Sequence, residues 1–195
     1  MNIIKNIWEE EGFKHIQSIV LKPNFPWYYG STVYDEDKSN DLYSYSFCHL
    51  AYHDGKNTSE LGELLQHGVR NAIEKSGQKI NQLIRIRLGL ITNYGKAVIH
   101  DPHVDNVYPH MTGLIYMNNA DGNTIIYKEK VNASYDPKDT GERYLKEVLK
   151  DNLTVDYRVT PEENKMMWFD GLSYHSSTSP ITVPRRIVLN FNYTV

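Results

Sequence analysis

From residue 84 to residue 193 the chain reads as a series of short apolar runs cut by turn chemistry, and few folds accommodate that pattern. Ile84, Ile86, Leu88 and Leu90 alternate with Arg85, Arg87 and Gly89, the period of two that belongs to a half-buried strand. Further strands are expected at Thr112 to Met117, Thr124 to Tyr127, Thr154 to Val159, Met166 to Phe169 and Arg186 to Tyr193. The turn Asn118 to Asn123, with Gly122, should join the first two of these as a hairpin. Other turns fall at Pro161-Glu162-Glu163-Asn164 and at Asp170-Gly171. Upstream, the polar cluster Asn57-Thr58-Ser59 is a helix start, and Leu61, Leu64, Leu65, Val69, Ala72 and Ile73 then share one helical face as far as Ser76-Gly77. A short surface helix is expected over Glu142 to Leu149. Helices followed by many antiparallel strands imply a mainly β architecture, a β-sandwich or jelly-roll barrel with helices packed on one outer face.

No repeat, low-complexity tract or long linker divides the 195 residues, so residues 1–195 are expected to form a single domain, with 1–80 supporting a barrel at 84–195. Twenty-one basic and 24 acidic residues give a formal charge of −3 with no clustered cationic stretch, which disfavours nucleic acid as a partner. The single cysteine, Cys48, supplies neither an internal disulfide nor a thiolate zinc site, so a metal would have to be held by His, Asp or Glu. The segment Met1 to Glu11 carries Lys5 and three consecutive acids and has no long apolar run. Neither signal peptide nor membrane span is expected there, and the default compartment is cytoplasmic.

The run His100-Asp101-Pro102-His103-Val104-Asp105-Asn106 places two histidines and two carboxylates just ahead of a strand. His103 and Asp105 are two apart, so on extended backbone both project to the same side. His175 follows 72 positions after His103, just past a strand and turn. Two imidazoles and one carboxylate make the facial triad of non-haem Fe(II) oxygenases, with positions left open for co-substrate and oxygen. Eleven residues after His175 stands Arg186. If Ile187, Leu189, Phe191 and Tyr193 face the helices, Arg186, Val188, Asn190 and Asn192 face into the barrel. An arginine there is costly unless it meets an anion, which its fork grips bidentately. Arg185 would lie on the opposite face.

His103-x-Asp105, His175 and Arg186 together resemble the signature of Fe(II)/2-oxoglutarate-dependent dioxygenases. The run His103-Val104-Asp105-Asn106 followed by Leu114-Ile115-Tyr116-Met117-Asn118 is similar to the prolyl-hydroxylase branch. Phe25-Pro26-Trp27-Tyr28-Tyr29 and the closing strand look like small oxygenase-like proteins of phages and marine bacteria. The resemblance is firm over residues 84 to 195 and thinner over the first 80, and it implies a double-stranded β-helix, a cupin-like jelly roll. It further implies that His103, Asp105 and His175 hold Fe(II), and that Arg186, with the Tyr116 hydroxyl, binds the distal carboxylate of 2-oxoglutarate. The implied reaction uses O2, with ascorbate as a supporting reductant, to hydroxylate a small-molecule or peptidyl substrate while releasing succinate and CO2. Asp105 in the triad favours hydroxylation over halogenation, which needs that position for chloride. The chain departs from the family pattern at Asn93-Tyr94-Gly95-Lys96, where a Pro-Gly-rich loop is usual, and at Gly122-Asn123-Thr124, where a double glycine is common. A catalytically inactive cupin-like metal- or ligand-binding protein is the alternative.

The remaining candidates have plainer readings. His100 competes with His103, but Pro102 argues against a helical His-x-x-His pair. His110 reads as a surface residue or a neighbour of the ligands, and His15, His49, His53 and His67 carry no ligating spacing. Trp27-Tyr28-Tyr29 could border a substrate mouth or pack structurally, Trp168 and Phe169 read as core, and Cys48 as a small buried hydrophobe. Asp35-Glu36-Asp37 reads as a solvated loop.

Overall fold

The structure, a computed structural model, describes residues 1–30, 42–132 and 141–195. The acidic run Asp35-Glu36-Asp37 lies outside the described residues. In chain order the elements are β1 (Asn2–Ile4), α1 (Glu10–Val20), β2 (Tyr28–Gly30), β3 (Ser46–His53), β4 (Lys56–Asn57), α2 (Gly62–Lys75), β5 (Gln82–Thr92), β6 (Met111–Tyr116) and β7 (Thr124–Lys130), then a π-helical turn (Tyr144–Leu149), β8 (Val155–Val159), β9 (Met166–Asp170), β10 (Ser173–Ser177) and β11 (Arg185–Thr194).

Two antiparallel sheets result. The larger runs β1-β9-β6-β11-β5-β3-β2, with β4 on β3, and the smaller runs β10-β7-β8. β11 is central because it pairs with β5 along one edge and β6 along the other. Its alternation decides what each face does. Ile187, Leu189, Phe191 and Tyr193 join Ile86, Leu88 and Leu90 of β5 in the core packed under α1 and α2. Those helices bring Phe13, Ile16 and Val20, and Leu65, Val69, Ala72 and Ile73, at three- and four-residue spacing. On the other face Val188 meets Leu114, Tyr116, Ile126, Val159, Met167 and Phe169 between the sheets. Trp168 and Phe169, adjacent on β9, accordingly enter different cores. A third cluster, with Val104, Ile125, Tyr127, Leu145 and Tyr174, backs the smaller sheet.

Several sequence expectations need correction. Thr112 to Met117 and Thr124 to Tyr127 are strands but not a hairpin, because β6 lies in the larger sheet and β7 in the smaller. The intervening turn crosses between the sheets instead. Asp121 accepts the backbone N–H groups of Ile181 and Thr182, and Gly122 sits where a Cβ would come within 2.4 Å of the Thr178 carbonyl oxygen. The helix expected from Asn57-Thr58-Ser59 begins at Gly62, since Asn57 belongs to β4. Ser59 spends its hydroxyl on the Leu61 N–H and on His49. The surface helix at Glu142 to Leu149 is a shorter π-helical turn that buries Leu145. A bulge where β5 meets Asn192 and Tyr193 puts Leu83, rather than Ile84, in the helix-facing core. Cys48 is only partly buried.

Gly113 of β6 lies opposite Phe191, and a Cβ there would stand 2.2 Å from the ring. Gly113→Ala is expected to destabilise the protein by about 1–3 kcal/mol through overpacking, read as a lower urea midpoint with an unchanged slope.

Candidate metal and anion site

His103 and His175 are joined by the backbone. The His103 N–H donates to the His175 carbonyl (3.0 Å) and the His175 N–H to the His103 carbonyl (2.9 Å), an isolated antiparallel bridge between the loop before β6 and the middle of β10. A directly opposed pair of this kind sends both side chains the same way, and the ring centroids are 4.4 Å apart. His175 lies just past β9 and the turn that follows it, in the middle of β10. Each imidazole has its Nδ1 beside the carbonyl two residues earlier, Asp101 for His103 and Ser173 for His175, both at 3.2 Å. Those carbonyls call for an Nδ1–H donor, so each Nε2 is the unprotonated ring nitrogen, the tautomer a metal needs. Phe169 packs edge-on against the His175 ring at 5.1 Å.

Asp105 completes the cluster. Candidate ligand atoms of His103, Asp105 and His175 all lie within 4.8 Å of one another. Four donors converge on the Asp105 carboxylate. Arg85 Nη2 reaches Oδ1 at 2.7 Å, and Asn192 Nδ2 (2.9 Å), Asn190 Nδ2 (3.3 Å) and Thr112 Oγ1 (3.4 Å) reach Oδ2. Burial alone would raise this carboxyl, but the charges of Arg85, His175 and His103 and the Asn192 amide outweigh it and hold the group well below the usual carboxylate range. The histidines move the same way for a different reason. Burial and the neighbouring His175 push His103 down to about 3, and burial lowers His175. At neutral pH the cluster is one carboxylate and two neutral imidazoles, a donor set suited to a divalent transition metal.

The three residues open onto a cavity of about 140 Å³ between the sheets, also lined by Arg85, Arg87, Gly89, Thr124, Arg186, Val188 and Asn190. Arg186 points into it and Arg185 is exposed. The Arg186 guanidinium is positioned by the crossing turn, donating from Nε to the Gly122 carbonyl (2.9 Å) and from Nη2 to Thr124 Oγ1 (2.7 Å). Tyr116 is close by, its ring 5.7 Å from the Arg186 guanidinium carbon. It is fully buried, however, with its hydroxyl 2.8 Å from Thr124 Oγ1 and 3.0 Å from Met167 Sδ. Thr124, not Tyr116, forms the cavity wall there.

Other candidates fall elsewhere. His100 is buried, 2.9 Å from the Ser177 carbonyl, and outside the ligand cluster. His110 is buried too, 3.3 Å from Thr112 Oγ1 and so one residue removed from Asp105. His49 sits between the Pro26 carbonyl and Ser59. Trp27 packs on the helix core, Tyr28 and Tyr29 are exposed, and none of the three lines the cavity. Sequence reading missed Arg85, Arg87 and Thr124. For the two arginines the signal was present: they alternate with the helix-facing residues of β5, by the same logic that turned Arg186 inward.

No protein-family model matches the sequence, and no curated protein matches it either. Solved structures do match, at low identity. An oxidoreductase of the 2OG-Fe(II) oxygenase family from Burkholderia pseudomallei aligns over 98% of this chain and 84% of its own, with 9% identity and a TM-score of 0.62. A prolyl hydroxylase from Trichoplax adhaerens, solved with a hypoxia inducible factor peptide fragment, aligns over 99% and 82%, with 15% identity and a TM-score of 0.62. The epimerase SnoN of nogalamycin biosynthesis, solved with Fe3+, alpha ketoglutarate and nogalamycin RO, aligns over 98% and 77%, with 10% identity and a TM-score of 0.58. The chain thus has the double-stranded β-helix fold of 2-oxoglutarate/Fe(II) oxygenases. Among the described residues, no helix is long and apolar enough to cross a membrane.

The Asp105 side chain is 7% exposed and Arg85 is its ion-pair partner. Arg85→Met, which strands that buried carboxylate, is expected to cost the metal-free protein about 3 kcal/mol, measured by urea unfolding in the presence of a chelator.

Proposed function

We propose that this chain is an Fe(II)- and 2-oxoglutarate-dependent dioxygenase that hydroxylates a small-molecule or peptidyl substrate. The observation that carries the reading is the joint placement of His103, Asp105, His175 and the buried Arg186 around one cavity. The fold shared with the oxygenases above supports it. Together the bound metal and co-substrate would supply oxidation of a C–H bond by O2, coupled to conversion of 2-oxoglutarate to succinate and CO2.

The chain's own residues supply geometry. The Nε2 atoms of His103 and His175 and one Asp105 oxygen would hold the ion, their rings and carboxylate fixed by the Asp101 and Ser173 carbonyls and the Asn192 amide. Arg186 would accept the distal carboxylate of 2-oxoglutarate, its plane already set by Gly122 and Thr124, so little side-chain entropy is lost on binding. Tyr116 would act from behind that wall, orienting the Thr124 hydroxyl rather than reaching the co-substrate itself. Apolar Leu114 and Val188 line the same cavity and exclude water from it.

Purified protein under nitrogen with Fe(II) and 2-oxoglutarate, ascorbate keeping the iron reduced, is expected to develop a weak visible charge-transfer band. His175→Ala should abolish it, and Arg186→Met should weaken 2-oxoglutarate binding at least about tenfold while the chain still binds Mn(II). No band with the wild type, or an undiminished one with His175→Ala, overturns the reading. Metal bound without affinity for 2-oxoglutarate would instead make the chain a binding module. Asn192→Ala, which removes the closest amide from Asp105, is expected to lower Mn(II) affinity about 10–100-fold by calorimetric titration.

A further inference from the structure

Three guanidinium groups and a single carboxylate line the cavity, and two of the three are accounted for. Arg85 is paired with Asp105, and Arg186 is held by Gly122 and Thr124 at the position assigned to 2-oxoglutarate. Arg87 is half-buried and lines the same cavity, yet among the described residues it makes no hydrogen bond or ion pair. Desolvating a guanidinium without a partner is unfavourable, and its planar fork fits a carboxylate or phosphate edge.

Its position separates it from the co-substrate. Across β5 and β11, Arg87 stands opposite Asn190, whereas Arg186 stands opposite Ile91. Four strand residues span about 13 Å, so Arg87 lies toward the Asp105 end of the cavity and Arg186 at the far end. Between them the floor is Gly89 opposite Val188, with no side chain on Gly89 to divide the space. Charge accounting points the same way. Iron(II) and the 2-oxoglutarate dianion cancel each other, and both histidines are neutral. The loaded cavity therefore keeps its excess of two positive charges.

We infer that Arg87 is a substrate-recognition residue and that the substrate is an anion, presenting a carboxylate or phosphate oxyanion to Arg87 close to the metal. This assignment rests on the dioxygenase reading above. A substrate held there has its charged group on β5 and its adjacent carbon atoms over Gly89, within the space shared with the triad.

The test uses the full chain loaded with redox-inactive Mn(II) and saturating 2-oxoglutarate. Propionate, inorganic phosphate and the neutral propionamide are titrated in, and paramagnetic broadening of their proton or phosphorus resonances reports both binding and closeness to the metal. Propionate or phosphate should be broadened well beyond propionamide, and whichever is preferred names the oxyanion. Arg87→Met should weaken that anion about tenfold, Arg87→Lys less, with the 2-oxoglutarate dissociation constant changed less than twofold in both. Thermal unfolding shows which variants are folded, and Arg87→Lys carries the comparison if Arg87→Met is not. Equal broadening of anion and amide by the wild type, or the same anion affinity in the folded variants, overturns the inference. A tenfold loss of 2-oxoglutarate affinity in the variants also overturns it, by assigning Arg87 to the co-substrate. If the wild type binds no 2-oxoglutarate, the dioxygenase reading fails separately, and the anion comparison is read on the chain with Mn(II) alone.

Discussion

Two backbone hydrogen bonds, between His103 and His175, hold the two halves of the site in register. They tie an irregular loop ahead of β6 to a strand of the smaller sheet, and because the pair is directly opposed, both imidazoles must project to the same side. Everything else about the donor set follows from that constraint. The loop that carries His103 delivers Asp105 two residues later onto the larger sheet, where Asn190, Asn192 and Arg85 receive it. The cluster is thus bolted to both sheets at once, and its geometry does not depend on a single flexible segment.

The larger sheet contributes through the strict alternation of β11. From Ile187 onward one face is buried beneath the two helices, and the other presents an arginine, a valine and an asparagine to the cavity and a second asparagine, Asn192, to Asp105. A slip of one residue would exchange the faces, burying Arg186 under α1 and α2 and exposing Phe191 to the cavity. The apolar face makes that slip prohibitive, since each large side chain it would lose from the core contributes roughly 1.5–3 kcal/mol. The helices, although far from the chemistry, therefore fix which residues the site receives.

Much of this was legible in the sequence, because period two runs unbroken along β11 and along β5 from Arg85 to Leu90 and because His-x-Asp, a later histidine and an inward arginine constrain one another. What was not legible has physical causes. The hairpin expected at Asn118 to Asn123 has the right turn residues, but Asp121 and Gly122 serve contacts with the segment 178–182 that is distant in sequence. β3 hides behind a bulge between Leu50 and Tyr52 that breaks its alternation, and β2 is too short and exposed to show a pattern. Tyr116 matches the resemblance in position, yet local packing turns its hydroxyl to Thr124 and Met167. Position along a strand sets which face a side chain occupies; it does not set which of several neighbours the terminal oxygen meets.

The hydrogen bonds around Asp105 also bear on how a metal would enter. An ionised carboxylate offers about two lone-pair positions on each oxygen; three donors crowd Oδ2 while Arg85 alone addresses Oδ1, so the position left for a cation is on Oδ1. The donors are unequal. Arg85 at 2.7 Å and Asn192 at 2.9 Å are short, while Asn190 at 3.3 Å and Thr112 at 3.4 Å are marginal. Thr112 also has other company, lying 3.3 Å from His110 Nε2 and accepting from Asn192 at 3.1 Å. Oδ1, with its single donor, is therefore the oxygen that would be offered to a metal beside His103 and His175, and the Oδ2 contacts would be kept. Arg85 on Oδ1 and Asn192 on Oδ2 stay in place and keep the carboxylate plane from rotating. The arginine neutralises Asp105 in the metal-free protein and would orient it in a metal-loaded one, so a buried carboxylate is compatible with the proposed cation site.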